Sequence, residues 1–435
     1  MIIFVVFFIC LFYISYKLKI RPFITLLIAS IFLGLFLKIN FSETLYLIYK
    51  GFYNIVISIG PIIITGTVLG KFLNETGASR KMVNTFISYF GYKKIPLSLN
   101  LIGFIISIPV FCDAAFILMS SIIKDLSRIT KKNIIILATC LATGLYSAHV
   151  FIPPTPGPIA ASAIIDADLG LLFLIGILAG LLVSISGYLW VKFLFKKEFT
   201  INYKEVNFQK FSNQRNVISF LPILIPIILI SISTTLKYPD LNILETQLIR
   251  IIEIIGRPEI ALLIGSILTL IFLKKKDIKK TPIWILNSFK SSFEILLITG
   301  SGGALGYIVR ESGIIDTLSL NEMTGISSIV SVFIIATVIK TIQGSSTVSI
   351  ITTCAITAPL IQSIGMTSEL EKVVLILSIG SGAMTISHIN DSYFWVVSKY
   401  SNIEMKEVLK FFSSATLIQS LVGLLVSITF YIFLT

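Results

Sequence analysis

The chain has only two histidines, and they stand in comparable settings: His149 in LYSAHVFIPP and His388 in MTISHINDSY. Residues that interrupt a helix follow each of them. After His149 come Pro153, Pro154, Pro156 and Pro158, which cannot donate to a helical ladder and leave carbonyls of the preceding turn without partners. After His388 come Asn390, Asp391 and Ser392, residue types suited to caps and turns. Interrupted helices expose N-termini that favour anions and free carbonyls that favour cations. Imidazoles and the carboxylates Asp113 and Asp391 can carry a proton in an apolar setting. The chemistry on offer is therefore the holding of a small ion beside a transferable proton. Taken singly, each break reads equally well as a kink, and Asp113 and Asp391 could each simply cap the helix that follows.

A third cluster, KTIQGSSTVS, lies in the middle of a stretch from Met323 to Thr367 whose only charge is Lys340. Gln343, Gly344, Ser345, Ser346 and Thr347 offer an amide, close backbone approach and three hydroxyls, a set that suits a ligand with hydroxyls and a carboxylate. The same small residues could serve helix packing. Lys340 could balance an anion, snorkel or form a salt bridge.

The elements that must position these groups are membrane spans. Of 435 residues, 55% are hydrophobic and 13% charged, and the mean hydropathy is +0.95. The net charge of +13 is distributed in short clusters between apolar runs, where topogenic charges belong, which argues against nucleic acid. The run at 2–16 has no basic segment before it and no cleavage site after it, so it reads as a retained span rather than a signal peptide. Cys10, Cys112, Cys140 and Cys354 lie in apolar surroundings without CxxC spacing, as buried small hydrophobes would.

The chain is internally repeated. RPFITLLIASIFLGLFLK (21–38) and RPEIALLIGSILTLIFLK (257–274) agree at 11 of 18 positions with an offset of 236 residues. The same offset aligns Gly66, Leu69, Gly70, Glu75 and Gly77 with Gly302, Leu305, Gly306, Glu311 and Gly313. The first copy carries Lys17, Lys19 and Arg21 before its span, whereas the second carries KKKDIKK after it. Since basic loops stay cytoplasmic, the copies run in opposite directions, and inverted repeats place a binding site near the midplane where they meet.

Basic clusters at 71–94 and 124–132 put both ends of residues 95–123 inside. Two legs of about 13 residues reach roughly 20 Å of a ~30 Å core, which predicts a re-entrant hairpin with its tip near PVFCDAAF. A full crossing would instead make the repeats parallel and leave a basic loop outside. The second half repeats the plan with a hairpin over about 325–362. The expected fold is an all-α polytopic membrane protein. It has about ten transmembrane helices in two inverted repeats, two re-entrant hairpins, and broken helices at 133–165 and 370–395. The other spans fall at 2–16, 22–37, 52–72, 168–193, 219–236, 258–273, 288–309 and 411–433. Residues 1–195 and 218–435 form the two repeats, 196–217 a cytoplasmic linker, and both termini lie outside.

GKFLNETGASRKM, PVFCDAAFILM, HVFIPPTPGP, QGSSTVS and SHINDSYFWVV, in this order over nearly the whole chain, resemble the gluconate permease family of bacterial inner-membrane proton symporters. The resemblance implies membership of the ion transporter superfamily, an elevator motion, a homodimer and no cofactor. It puts the substrate pocket at Asp113, at His149, Thr155, Pro156 and Gly157, at Gln343 to Thr347, and at His388, Asn390, Asp391 and Ser392. Thr155 stands where the family pattern has a second histidine, and Cys112 replaces an aromatic residue. The implied cargo is a small hydroxylated monocarboxylate such as gluconate, with D-serine-like carriage as the alternative. Asp113, His149, His388 and Asp391 are the expected proton-linked groups, with sodium coupling the nearer competitor. A membrane-embedded metal enzyme is more distant, since HExxH and GxSxG are absent.

Overall fold

The computed structural model describes residues 20–79, 81–82, 85, 89, 94–196, 217–236, 246–311, 325–389 and 391–434. The expected span at 2–16, most of the basic linker, Cys10 and Asn390 lie outside the described residues. Among the described residues every regular element is a helix. In chain order the first are α1 (Pro22–Phe36), α2 (Phe41–Glu75), α3 (Ile95–Ser107), α4 (Cys112–Thr130), α5 (Ile134–Phe151), α6 (Pro156–Ile165) and α7 (Leu169–Leu194). Then come α8 (Leu221–Leu236), α9 (Thr246–Ile255), α10 (Pro258–Leu268), α11 (Thr281–Glu311), α12 (Ile326–Gln343), α13 (Ser346–Thr357), α14 (Glu369–Ala383), α15 (Ser392–Ser401) and α16 (Ser414–Leu434).

Local chemistry sets the helix starts. Pro22 and Pro258 occupy the first turns of α1 and α10, where a backbone N–H has no helical partner to lose. Asn40, Asn133 and Asp168 accept from the N–H groups of Ser42, Ile135 and Leu171, and Ser368 forms a reciprocal capping box with Glu371. α2 extends well beyond the expected 52–72 because the Asn40 cap starts it earlier. It bends by 47° between Phe41–Ser58 and Gly60–Glu75, where Pro61 lacks a ladder donor.

Among the described residues, four helices are long and apolar enough to cross a membrane by length and composition: 134–165 counted through its break, 169–194, 326–343 and 405–434. The bent α2 would add a fifth. Shorter apolar helices at 23–36, 95–107, 217–230, 258–272 and 346–360 occupy other expected spans and hairpin legs. The expected span at 288–309 lies within α11, which carries Lys290 and Glu294. Phe36, Phe193, Leu425 and Phe433 are exposed while Asn100, Lys340, Asp391 and Gln419 are buried, the reverse of a water-soluble surface.

α2 and α11 run along each other, α3 packs on α5, and α12 packs on α14. α5 and α14 in turn lie against α7 and α16, while α6 meets α13 and α4 meets α15. Two of these crossings depend on glycine. Gly144 of α5 abuts the carbonyl of Asn100, and Gly382 of α14 abuts that of Phe333, so a β-carbon at either position would strike backbone. Polar side chains tie the interior together: Asn100 Nδ2 donates to Cys140 O (3.2 Å) and Ser184 O (3.1 Å), and Gln419 Nε2 donates to Thr143 O (3.0 Å) and Val183 O (3.1 Å).

Candidate functional site

Four interruptions in this bundle carry the residues singled out above. The first is the turn 108–111 between α3 and α4. Phe111 occupies the N-cap of α4 and supplies no side-chain acceptor, so the first turn, which contains Asp113, is left open. Asp113 is therefore not the cap of this helix. Its Oδ1 is buried without a hydrogen-bond partner.

The second interruption separates α5 from α6. His149 lies in the last turn of α5, buried, with its Nδ1 unpartnered and its ring edge-on to Phe111 at 6.3 Å between centroids. The peptide between Pro153 and Pro154 is cis. Thr155 is the N-cap of α6, yet its hydroxyl donates to Ile152 O (2.5 Å) rather than capping. Pro156 and Gly157 open the helix, and Gly157 faces Ile350 of α13 closely.

The third is the tip between α12 and α13. Gly344 has a φ of +78°, a left-handed conformation that glycine adopts without steric cost, and its N–H closes on Lys340 O (2.8 Å). Ser345 caps α13 by accepting from Val348 N (3.3 Å). Ser346 is buried, whereas Gln343 and Thr347 are half-buried.

The fourth spans 384–391. The helix does not reach His388 as expected: α14 stops at Ala383, after two glycines in GSGA, and His388 lies in the non-helical segment beyond, where its carbonyl accepts from Asp391 N (2.8 Å). The two histidines therefore occupy unlike environments, since His149 is buried and His388 half-buried. Asp391 caps α15 by accepting from Tyr393 N (3.0 Å), and Ser392 opens that helix.

Tertiary packing joins these pieces. Lys340 Nζ donates to Asp391 Oδ2 (2.7 Å) and Gly344 O (2.8 Å), and Ser387 Oγ donates to the same carboxylate oxygen (2.5 Å). Lys340 and Asp391 are 1% and 3% exposed, so the pair is desolvated and each charge depends on the other. The ammonium sits 5.8 Å from the Tyr146 ring centroid, and Tyr146 in turn lies 5.3 Å from Tyr393. Asp113 lies within the electrostatic reach of Asp391 and Lys340. Helix starts at Cys112, Ser346 and Ser392 thus surround one buried ion pair, and the start at Pro156 is docked through Gly157 onto α13.

Sequence reasoning missed Tyr146, Ser387, Tyr393 and Phe111. Tyr146 and Tyr393 each stand within five residues of a residue that was singled out, but a buried aromatic there is indistinguishable from ordinary core. A cleft of about 210 Å³ lies between α2, α11 and the 108–111 turn, lined by Thr67, Lys71, Asn74, Asn287 and Ser291 and ending on Phe111. Among the described residues no group of three His, Cys, Asp or Glu side chains is placed to hold a metal ion. Cys112, Cys140 and Cys354 are buried free thiols.

Described residues whose regular elements are all helices, which bury the Lys340–Asp391 pair and expose large apolar side chains, with interrupted helices around an internal polar site, have the construction of a polytopic membrane transporter. Comparison with known proteins agrees. The sequence matches the GntP family permease profile over residues 1–433, and the chain belongs to that family. It is 29% identical over 433 residues to the inner membrane permease YgbN of Escherichia coli, covering 94% of each chain. It is 28% identical over 427 residues to a gluconate permease of Pseudomonas aeruginosa, covering 94% of this chain and 92% of that one. It is likewise 28% identical over 423 residues to the D-serine transporter DsdX of E. coli, covering 94% and 93%. Its fold is similar to the crystal structure of the YdaH transporter of Alcanivorax borkumensis, with a TM-score of 0.61 at 11% identity over 95% of this chain and 98% of that one. The protein is a transporter and not an enzyme.

Proposed function

We propose that this permease is a proton symporter that imports a small hydroxylated monocarboxylate, such as gluconate or a related sugar acid, across the bacterial cytoplasmic membrane. The observation that carries this reading is the pair of buried, unpartnered polar atoms, Asp113 Oδ1 and His149 Nδ1, beside helix starts and the Lys340–Asp391 pair. Buried polar groups without partners are costly, and a ligand or a proton would satisfy them. The open first turn at Asp113 is suited to a carboxylate. Ser345, Ser346, Thr347 and Asn390 are the groups we assign to the ligand's hydroxyls, with Gln343, Gly344, Thr155, Pro156, His388, Asp391 and Ser392 framing the pocket. Uptake of labelled gluconate, glycerate and D-serine into proteoliposomes under a pH gradient or a sodium gradient tests it. Uptake driven by sodium alone, or of none of these solutes, would sink it.

The inverted repeat, residues 1–195 against 218–435 about the linker 196–217, is part of the same reading. A contact between residues 51 and 303 maps, under the 236-residue offset, onto one between 287 and 67. Gly51 does lie against Gly303, and Thr67 Oγ1 lies 2.6 Å from Ser292 Oγ and 3.4 Å from Ser288 O. The paired crossings of α3 with α5 and of α12 with α14 support it further. We assign the outside to both termini and an elevator motion to the four interrupted elements. Crosslinks between these elements and α1 or α10 should then stop turnover. Light scattering on the purified protein would read the homodimer.

A second reading, carriage of a D-serine-like zwitterion, is favoured by one observation: a free Asp113 oxygen could receive an ammonium group as readily as a proton. Competition of D-serine against labelled gluconate separates the two.

A further inference from the structure

The charges around the site do not cancel, and their sum has a consequence for coupling. Asp391 is fully engaged: Oδ2 receives Lys340 and Ser387, and Oδ1 receives the N–H of Tyr393. Asp391 and Lys340 form a buried ion pair and together contribute no net charge. Asp113 has no such donors at Oδ1. The elements packed against α4 carry these titratable side chains: Cys140, Tyr146 and His149 on α5, Tyr393 and the exposed Lys399 and Tyr400 on α15, and none on α3; Asp391 before α15 and Lys340 at the end of α12 are the charges that reach Asp113, with Cys112 beside it. Tyr146, Tyr393 and Cys112 are buried and neutral as phenols and thiol. His149 has no acceptor at Nδ1 to satisfy an imidazolium N–H.

With Asp113 ionised, the empty site therefore carries one uncompensated negative charge. A monocarboxylate entering it would place a second in the same low-dielectric volume.

We propose that the site always holds one negative charge, which is the carboxylate of Asp113 when empty and that of the substrate when loaded. Asp113 then carries the single transported proton. A proton from the outer solution forms an O–H bond on Asp113 as the anion binds. On the cytoplasmic side the anion leaves, the O–H bond breaks and the proton passes to water. One anion and one proton cross per cycle, and the site has the same charge in both directions, so transport is electroneutral. This inference rests on the monocarboxylate reading above and assigns Asp391 a positioning role instead of a proton-carrying one.

The test uses the full-length protein in proteoliposomes with labelled gluconate. Gradient-free counterflow by the wild type checks the monocarboxylate reading, and its absence would overturn that reading on its own. With the membrane potential clamped at zero, a one-unit pH gradient should support about tenfold accumulation at one proton per anion, against about a hundredfold at two. A membrane potential imposed at equal pH should drive no accumulation. Accumulation near a hundredfold, or driven by potential alone, overturns the inference.

Asp113→Asn should accumulate no gluconate under the pH gradient, and Asp113→Glu should restore accumulation. Accumulation by Asp113→Asn overturns the inference. If Asp113→Asn does not fold, proton uptake by the purified wild type on adding gluconate in weak buffer decides the matter. About one proton per bound gluconate is expected, and none would overturn the inference.

Discussion

Lys340 and Asp391, 51 residues apart in sequence, meet at 2.7 Å in the interior, with Ser387 and the carbonyl of Gly344 completing the contact. This pair fastens the tip between α12 and α13 to the non-helical segment before α15, and so makes one body of that tip and that break. Its stability consequence follows from desolvation.

Lys340→Met and Asp391→Asn each strand a buried charge and should each lower stability by about 3–5 kcal/mol. The double variant strands none and should recover more than half of the loss. Thermal unfolding of the detergent-solubilised variants measures this, and losses that simply add would show that the two residues do not act as a pair.

His149 and His388 should respond unequally to replacement. His149→Leu removes a buried ring that faces Phe111, and we expect about a tenfold or greater fall in gluconate uptake. His388→Leu changes a half-buried side chain in a non-helical segment and should cost less than about threefold. Initial uptake rates at equal reconstituted protein compare them.

Phe111 stands between the 210 Å³ cleft and His149, and Cys112 follows it with 2% exposure. Phe111→Ala should therefore open Cys112 to a membrane-permeant maleimide that leaves it unmodified in the wild type. Mass spectrometry of the labelled peptide reads the change. Unaltered labelling would mean that the ring does not close the cleft.

Gly382→Ala should cost about 1–3 kcal/mol, because the new methyl group meets the Phe333 carbonyl and the α12–α14 crossing must open to admit it. Denaturation midpoints test this. Gly365→Ala is the comparison, since a β-carbon there meets nothing and only the φ of +70° is strained.

The amino-acid order by itself determined that the chain is built of apolar helices and where those helices break. Proline's missing N–H ends α5 near His149 in any surroundings, and the 236-residue offset is legible in the identities at 21–38 and 257–274. It placed the helix interruptions at 108–111 and 344–345 within a few residues, because GSS and the residues around Asp113 interrupt apolar runs that are otherwise helical. It made the two histidines look equivalent, and there it misled. Helix α14 ends earlier than the motif suggests, and burial is a property of what packs around a side chain. Only the tertiary structure decided that Lys340 belongs to Asp391 and that Asp113 and His149 are left with unpartnered atoms. The reason is physical: a local pattern specifies backbone conformation through nearest-neighbour sterics and hydrogen bonds. Which carboxylate meets the Lys340 ammonium depends on distances between helices far apart in the chain.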